Sequence, residues 1–216
     1  MIYQPYFHTF ITPTTHYMSF RTLYVFLFLL LASIVQAQTL DSIPNFVLKD
    51  VVSGENITFN DYKGSKATVV IFTSNFCPYS QLYEQRIKAL SEEYTPKGVS
   101  FMLINSNNSN LSKNESETNM IVKAKDSGFG LPYFSDKDLV AKNIFEAEKT
   151  PEVFIVAPDN KGKLVVAYHG AIDDNPQSPD EVEDNYVKRA LNNLIIDKVS
   201  PVKFERPTGC RIKIEN

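Results

Sequence analysis

Apolar positions along the chain follow two rhythms. Short β-branched and aromatic runs at 68–72 and 99–104 are too short for helices and predict buried strands. Two further strands are predicted at 45–49 and 56–59 around the turn Ser53-Gly54-Glu55, with Asp61-Tyr62-Lys63-Gly64 as a loop. After Cys77 the spacing changes: Leu82, Ile87, Leu90 and Tyr94 recur at threes to fives among Glu84, Gln85, Arg86, Lys88 and Glu92, which predicts a helix ended by Lys97-Gly98. Residues 105–114 are almost wholly Asn and Ser and read as a solvated loop. A helix over 115–127 follows, capped by Ser112 or Asn114 and stopped by Gly128-Phe129-Gly130. Next come an extended piece at 132–134, a short helix at 138–145, and strands at 152–156 and 164–169 joined by Asp159-Asn160-Lys161-Gly162. Residues 181–197 form an amphipathic helix with Val182, Tyr186, Ala190, Leu194 and Ile195 on one side, and 199–216 are a tail. The sum is an α/β chain, a β-hairpin followed by β-α-β-α and β-β-α around one mixed sheet.

The first 37 residues stand outside that pattern. Residues 1–17 carry no charged side chain and no periodicity, so Met18 is the more natural initiator. From Met18 the order is that of a secretory signal: Arg21, an apolar core at 23–34, then Val35-Gln36-Ala37 as a cleavage site. The apolar run is shorter than the roughly 20 residues that a bilayer needs. The expected organisation is therefore a leader and signal peptide at 1–37, one domain at 38–198 and a tail at 199–216 that carries Cys210. The mature chain would be exported, to a periplasm or the extracellular space, with no stable membrane span.

Charge adds little: the net charge is −3, and the leader removes one arginine and no acid, which argues against a nucleic-acid partner. Cysteine adds more. There are only two, Cys77 and Cys210, too few for a disulfide scaffold, so they form one bridge or a working thiol with a helper. Of three histidines only His169 lies in the mature chain, which speaks against a His/Cys zinc site, and no metal or cofactor is expected. Structural or surface duty is the first expectation for His169, and a solvated turn for the adjacent Asp173 and Asp174. The sequons at Asn56, Asn107, Asn110 and Asn114 read as polar loop chemistry.

Cys77 ends a strand just where a helix begins. A thiol there sits beside unpaired backbone N–H groups at the positive end of the helix dipole, which favour the nucleophilic thiolate. Pro78 suits the first helical turn, because its missing N–H costs nothing there. Ser80 is placed to bond the thiolate or to cap the helix, and Tyr79 to touch substrate.

The order of elements resembles the thioredoxin fold. Thr150-Pro151-Glu152-Val153-Phe154 is similar to the loop in which a cis proline faces the active cysteine. Cys77-Pro78-Tyr79, Gly128 to Tyr133, His169 to Asp174 and Gly209-Cys210-Arg211-Ile212-Lys213 extend the likeness to the peroxiredoxin-like, AhpC/TSA-related branch of the redoxins. The resemblance implies a thioredoxin-like central mixed sheet flanked by helices, an N-terminal hairpin and thiol redox chemistry. Ser74 matches the hydroxyl position of peroxiredoxins. Ser80 stands where thioredoxins carry a second cysteine, and Val70 where peroxiredoxins carry a proline. No arginine is placed by motif.

Cys77 would then attack a protein disulfide or a peroxide, and a second thiol would resolve the intermediate. Cys210 on a flexible tail is the internal candidate for that step and an outside thiol donor the other, while Thr150 and Pro151 would pair with an extended substrate. The alternative is a binding module on the same fold, with a permanent Cys77–Cys210 staple.

Overall fold

The computed structural model describes residues 42–126, 128 and 130–215. The leader and signal expected at 1–37 lie outside them, as do Ser127 and Phe129. The hairpin is present as β1 (Val47–Asp50) and β2 (Asn56–Thr58). Its turn is fixed by Asp50, whose carboxylate accepts from the backbone of Val52 and Ser53, and by Gly54 at φ 79°. The loop expected at 61–64 begins instead as a helical turn, α1 (Phe59–Tyr62), because the Thr58 hydroxyl accepts from the Asp61 amide and donates to its carboxylate.

The central strand is β3 (Ala67–Phe72), with all six residues buried. It leads to α2 (Pro78–Tyr94), and Gly98 at φ 86° turns the chain into β4 (Val99–Asn105). Then come α3 (Glu117–Asp126), β5 (Tyr133–Ser135), α4 (Val140–Phe145), β6 (Lys149–Thr150), β7 (Glu152–Pro158), β8 (Leu164–Gly170), α5 (Tyr186–Leu194), β9 (Phe204–Glu205) and β10 (Cys210–Arg211). The main sheet has the order β2-β1-β5-β4-β3-β7-β8-β9. It is mixed: β3 runs parallel to β4 and antiparallel to β7, so the fold is the thioredoxin-like α/β arrangement. β6 and β10 form a separate two-stranded ribbon.

Alternation along β3 builds a core on each face of the sheet. Val69 and Ile71 face α2 and α5, packing with Tyr83, Ile87, Leu90, Val187 and Leu191. Val70 and Phe72 face a layer rich in phenylalanine, including Phe46, Phe59, Phe134, Phe145 and Phe154. Phe72 meets Phe145 and Phe154 edge-on, and burying such a side chain contributes about 1.5–3 kcal/mol. A strand clamped on both faces is a rigid base for the cysteine at its end.

Further expectations change. Residues 105–114 are not solvated throughout: Asn105, Ser106 and Asn107 are buried, held by the side chains of Glu115 and Asp136 and by the backbone amide of Lys213 respectively. The helix expected at 181–197 is shorter, because the Asn185 side chain accepts from the Lys188 amide and starts α5 at Tyr186. The tail is not a free arm: β9 adds to the main sheet, and Val202 and Ile212 enter the two core layers. Among the described residues no helix is long and apolar enough to cross a membrane.

Candidate functional site

Cys77 occupies the N-cap of α2, with φ −72° and ψ 121°, and Pro78 opens the first turn. Its side chain makes no capping bond, and the residue stands at the helix end where first-turn N–H groups lack intrahelical partners. The residue is only 3 % exposed, and it is bridged to the half-buried Cys210, their Cα atoms 6.0 Å apart.

The loop ahead of Cys77 is held by a buried carboxylate that sequence reasoning missed. Glu115 is 2 % exposed and accepts four bonds: from the Ser74 hydroxyl (2.7 Å), the Asn75 amide (3.0 Å), the Phe76 amide (3.1 Å) and the Asn105 side chain (2.8 Å). Ser74 in turn accepts from the Cys77 amide at 3.0 Å and the Phe76 amide at 3.2 Å. The Ser74 hydroxyl therefore orders the backbone around the sulfur. Tyr133 extends the network, donating to Asn75 at 2.9 Å and accepting from Asn105 at 3.2 Å. Burial, followed by the nearby Glu115, pushes its hydroxyl well above the ordinary tyrosine range.

Opposite the sulfur lies the Thr150–Pro151 peptide, which is cis. The Thr150 carbonyl oxygen stands 3.1 Å from Cys77 Sγ, a position from which it accepts the S–H of the reduced thiol. Two buried hydroxyls next to the bridge, Ser80 Oγ and Thr150 Oγ1, have no hydrogen-bond partner among the described residues. Behind this loop the carboxylate of Glu152 accepts from the amides of Glu148 and Lys149. Its other oxygen meets His169 Nε2 at 2.6 Å, and that ring stacks on Phe154. His169 is thus a brace for the proline loop. Tyr79 is half-buried and Pro78 exposed at the mouth of the site.

Asp173 is not the solvated turn residue expected. It is 2 % exposed, takes the Tyr83 hydroxyl at 2.6 Å and receives Arg86 Nη1 on both oxygens at 3.0 and 2.9 Å. Arg86 is committed there and to the carbonyls of Asn175 and Pro176. A cleft of about 160 Å³ opens beside this pair, bounded by Pro151, Tyr186 and Thr208.

A conserved-domain model described as the AhpC/TSA family matches residues 39–167, more than half of the chain. The chain belongs to the AhpC/TSA family. Cys77, Ser80 and Pro151 fall inside the matched stretch, whereas Cys210 lies beyond it. Among solved structures, an uncharacterized conserved protein from Geobacillus kaustophilus is 30 % identical with a TM-score of 0.72, over 81 % of this chain and 91 % of that one. A hypothetical protein from Sinorhizobium meliloti 1021 is 27 % identical with a TM-score of 0.70, over 81 % and 93 %. A thioredoxin-like protein solved in its oxidized form shares the fold at 16 % identity and a TM-score of 0.51, over 66 % and 86 %. No curated protein matches.

For this AhpC/TSA chain the sequence named Cys77, Ser74, Thr150, Pro151 and Cys210 as separate motifs, and the fold brings them together. Glu115 gave no such signal, because an acid after an Asn/Ser loop reads as a helix start. The strand character of the tail was visible in the alternation Arg211-Ile212-Lys213-Ile214, since Ile212 is buried and Ile214 packs on the same layer.

Proposed function

We propose that the protein is an exported thiol-disulfide oxidoreductase in which Cys77 and Cys210 form the exchanging pair. The observation that carries this reading is the bridge itself: it joins a cysteine at the head of a helix to one on a two-residue strand, across a cis-proline loop. Export rests on the signal pattern at 18–37.

In this reading the exchange runs stepwise. An outside thiolate attacks the sulfur of Cys210, the more exposed residue of the two, and the S–S bond breaks with Cys77 leaving as a thiolate beneath the helix N-terminus, a favourable leaving group. A second donor thiol releases Cys210, so two electrons enter from the donor. In the reverse half, the Cys77 thiolate attacks a substrate disulfide to form a mixed disulfide and expels one substrate thiolate. Attack of the Cys210 thiolate on Cys77 Sγ expels the other and restores the bridge. Ser80 Oγ and Thr150 Oγ1, unpartnered beside the bridge, are the hydroxyls available to the Cys77 thiolate. Peroxide would take the same pair through a sulfenic acid at Cys77, with water leaving as Cys210 closes the bridge. Disulfide exchange is the better-supported chemistry, because Arg86 is engaged by Asp173.

The burial of Cys77 and the seating of Ile212 in the core favour a second reading, a binding module stapled by the same bridge. Turnover separates them. With dithiothreitol as donor and a protein disulfide as substrate, the wild type is expected to turn over. Cys77→Ser should be inactive, and Cys210→Ser, reduced, freed of dithiothreitol and then given the substrate, should stop at a mixed disulfide after one event. A Cys77→Ser variant as fast as wild type would sink the oxidoreductase reading.

A further inference from the structure

The ribbon of β6 and β10 pairs Cys210 with Thr150 and Arg211 with Lys149 in antiparallel register. Main-chain contacts continue past the C-terminal end of β10. Ile212 N donates to the Glu148 carbonyl at 2.9 Å, Lys213 N to Asn107 Oδ1 at 2.9 Å, and Asn108 N to the Lys213 carbonyl at 2.8 Å. These are contacts of the tail's main chain, and any extended segment laid on β6 would make them. Within 209–213, two positions besides Cys210 are constrained at the side chain. A Cβ on Gly209 would lie 2.2 Å from the Thr150 carbonyl oxygen and 2.7 Å from its carbon, both backbone atoms that cannot swing aside. Ile212 is 8 % exposed and sits in the phenylalanine layer. Arg211, between them, points to no demand of the groove and is exposed.

Resting on the exchange chemistry above, we propose that β10 is a built-in occupant of the substrate groove. Its natural competitor is an extended polypeptide segment whose reactive cysteine follows a glycine and precedes, by two residues, an aliphatic side chain. In the oxidised protein the tail fills the groove and is covalently held. Reduction by a dithiol breaks the Cys77–Cys210 bond, places a proton or charge on each sulfur and leaves the tail held only by non-covalent contacts. A substrate segment with its cysteine in a disulfide then takes the edge of β6, and Cys77 attacks that disulfide as its partner thiolate departs. When β10 re-pairs, Cys210 attacks Cys77 Sγ and the substrate leaves as a thiolate from a groove that its product no longer occupies. The tail thus selects the substrate by example and closes the cycle by displacement.

The test uses the full chain carrying Cys210→Ser, in which Cys77 is free. The probe is a hexapeptide, Thr-Gly-Cys-Arg-Ile-Lys, with its cysteine as a mixed disulfide to thiopyridine, compared with versions having Ala for Gly or Ser for Ile, and with glutathione disulfide. The parent peptide is expected to react with Cys77 at least about tenfold faster than either altered peptide. Adding Gly209→Ala, or Ile212→Ser, to the protein should speed the parent peptide further, because the tail then competes less. Equal rates for the three peptides within about twofold, with the small disulfide still reacting, would overturn the groove assignment and leave the exchange chemistry standing. Failure of Cys77 to react with any disulfide would overturn both.

Discussion

Glu115→Gln is the substitution whose cost can be worked from the geometry most fully. Each carboxylate oxygen of Glu115 accepts two bonds, Oε1 from Ser74 Oγ and the Phe76 amide, Oε2 from the Asn75 amide and Asn105 Nδ2. A glutamine must aim its NH₂ at one of these pairs of donors. Placed at Oε2 it confronts Asn75 N–H and the Asn105 amide, and Asn105 cannot flip because its Oδ1 already accepts from the amide and side chain of Asn107. Placed at Oε1 it meets a Ser74 hydroxyl that already accepts twice, although Phe76 N–H keeps that hydroxyl at 3.2 Å. The second orientation costs less and still forfeits one to two buried bonds, each about 1–3 kcal/mol. A net loss of about 2 kcal/mol is a large share of the 5–15 kcal/mol that typically holds a domain. With a urea slope of about 2 kcal/mol per molar, the unfolding midpoint should fall by about 1 M. Because the same network orders the loop ahead of Cys77, dithiothreitol should also open the Cys77–Cys210 bridge faster in the variant. Far-ultraviolet circular dichroism follows the first effect and thiol trapping the second. A midpoint within about 0.2 M of wild type together with an unchanged reduction rate would refute the assignment of Glu115 as the anchor of the cysteine loop.

Other consequences are as direct. Asp173→Asn leaves the Arg86 guanidinium, 11 % exposed, without its partner and should cost about 3–5 kcal/mol, whereas joint replacement by Arg86→Met and Asp173→Leu should recover most of the loss; melting temperatures decide it, and an unchanged Asp173→Asn melt contradicts the buried pair. Tyr62 and Tyr94 are each pushed up to about 12, by burial first and then by Asp50 and Glu93 respectively. Folded hydroxyls that hold their protons longer than unfolded ones contribute stability present below pH 10 and lost as pH rises toward 12, so the urea midpoint should fall across that window, in step with tyrosinate absorbance. Phe72→Ala should destabilise by about 3–5 kcal/mol, since Phe145 and Phe154 close on the ring from β3's apolar face, and a loss below about 1 kcal/mol would contradict that packing.

What the sequence made legible was whatever is decided locally. The runs that became β3, β4 and β7 are buried on both faces, so their side chains had to be uniformly apolar, and the switch to helical spacing at Cys77 marked the head of α2 directly. The hairpin, with Gly54 in its turn, was local too. The misreadings share a different cause. Asn105, Asn107 and Asp173 look solvated because polar side chains usually are, and only contacts made across the fold, from Glu115, Lys213 and Arg86, offset their burial. The start of α5 was set by one Asn185 side chain, and hydrophobic spacing upstream at Val182 masked it. The fixed tail depended on a close approach, Gly209 against Thr150, that no periodicity announces.

The central claim is that the Cys77–Cys210 bridge exchanges rather than staples. It is tested most directly by equilibrating the purified protein in graded glutathione and dithiothreitol buffers, then labelling the thiols and mapping them by mass. The account predicts that the bridge opens at a potential within the range of exchanging dithiols, about −120 to −270 mV, and that the released Cys77 labels rapidly below neutral pH. A bridge that stays closed to below about −300 mV would contradict it and leave the stapled binding module.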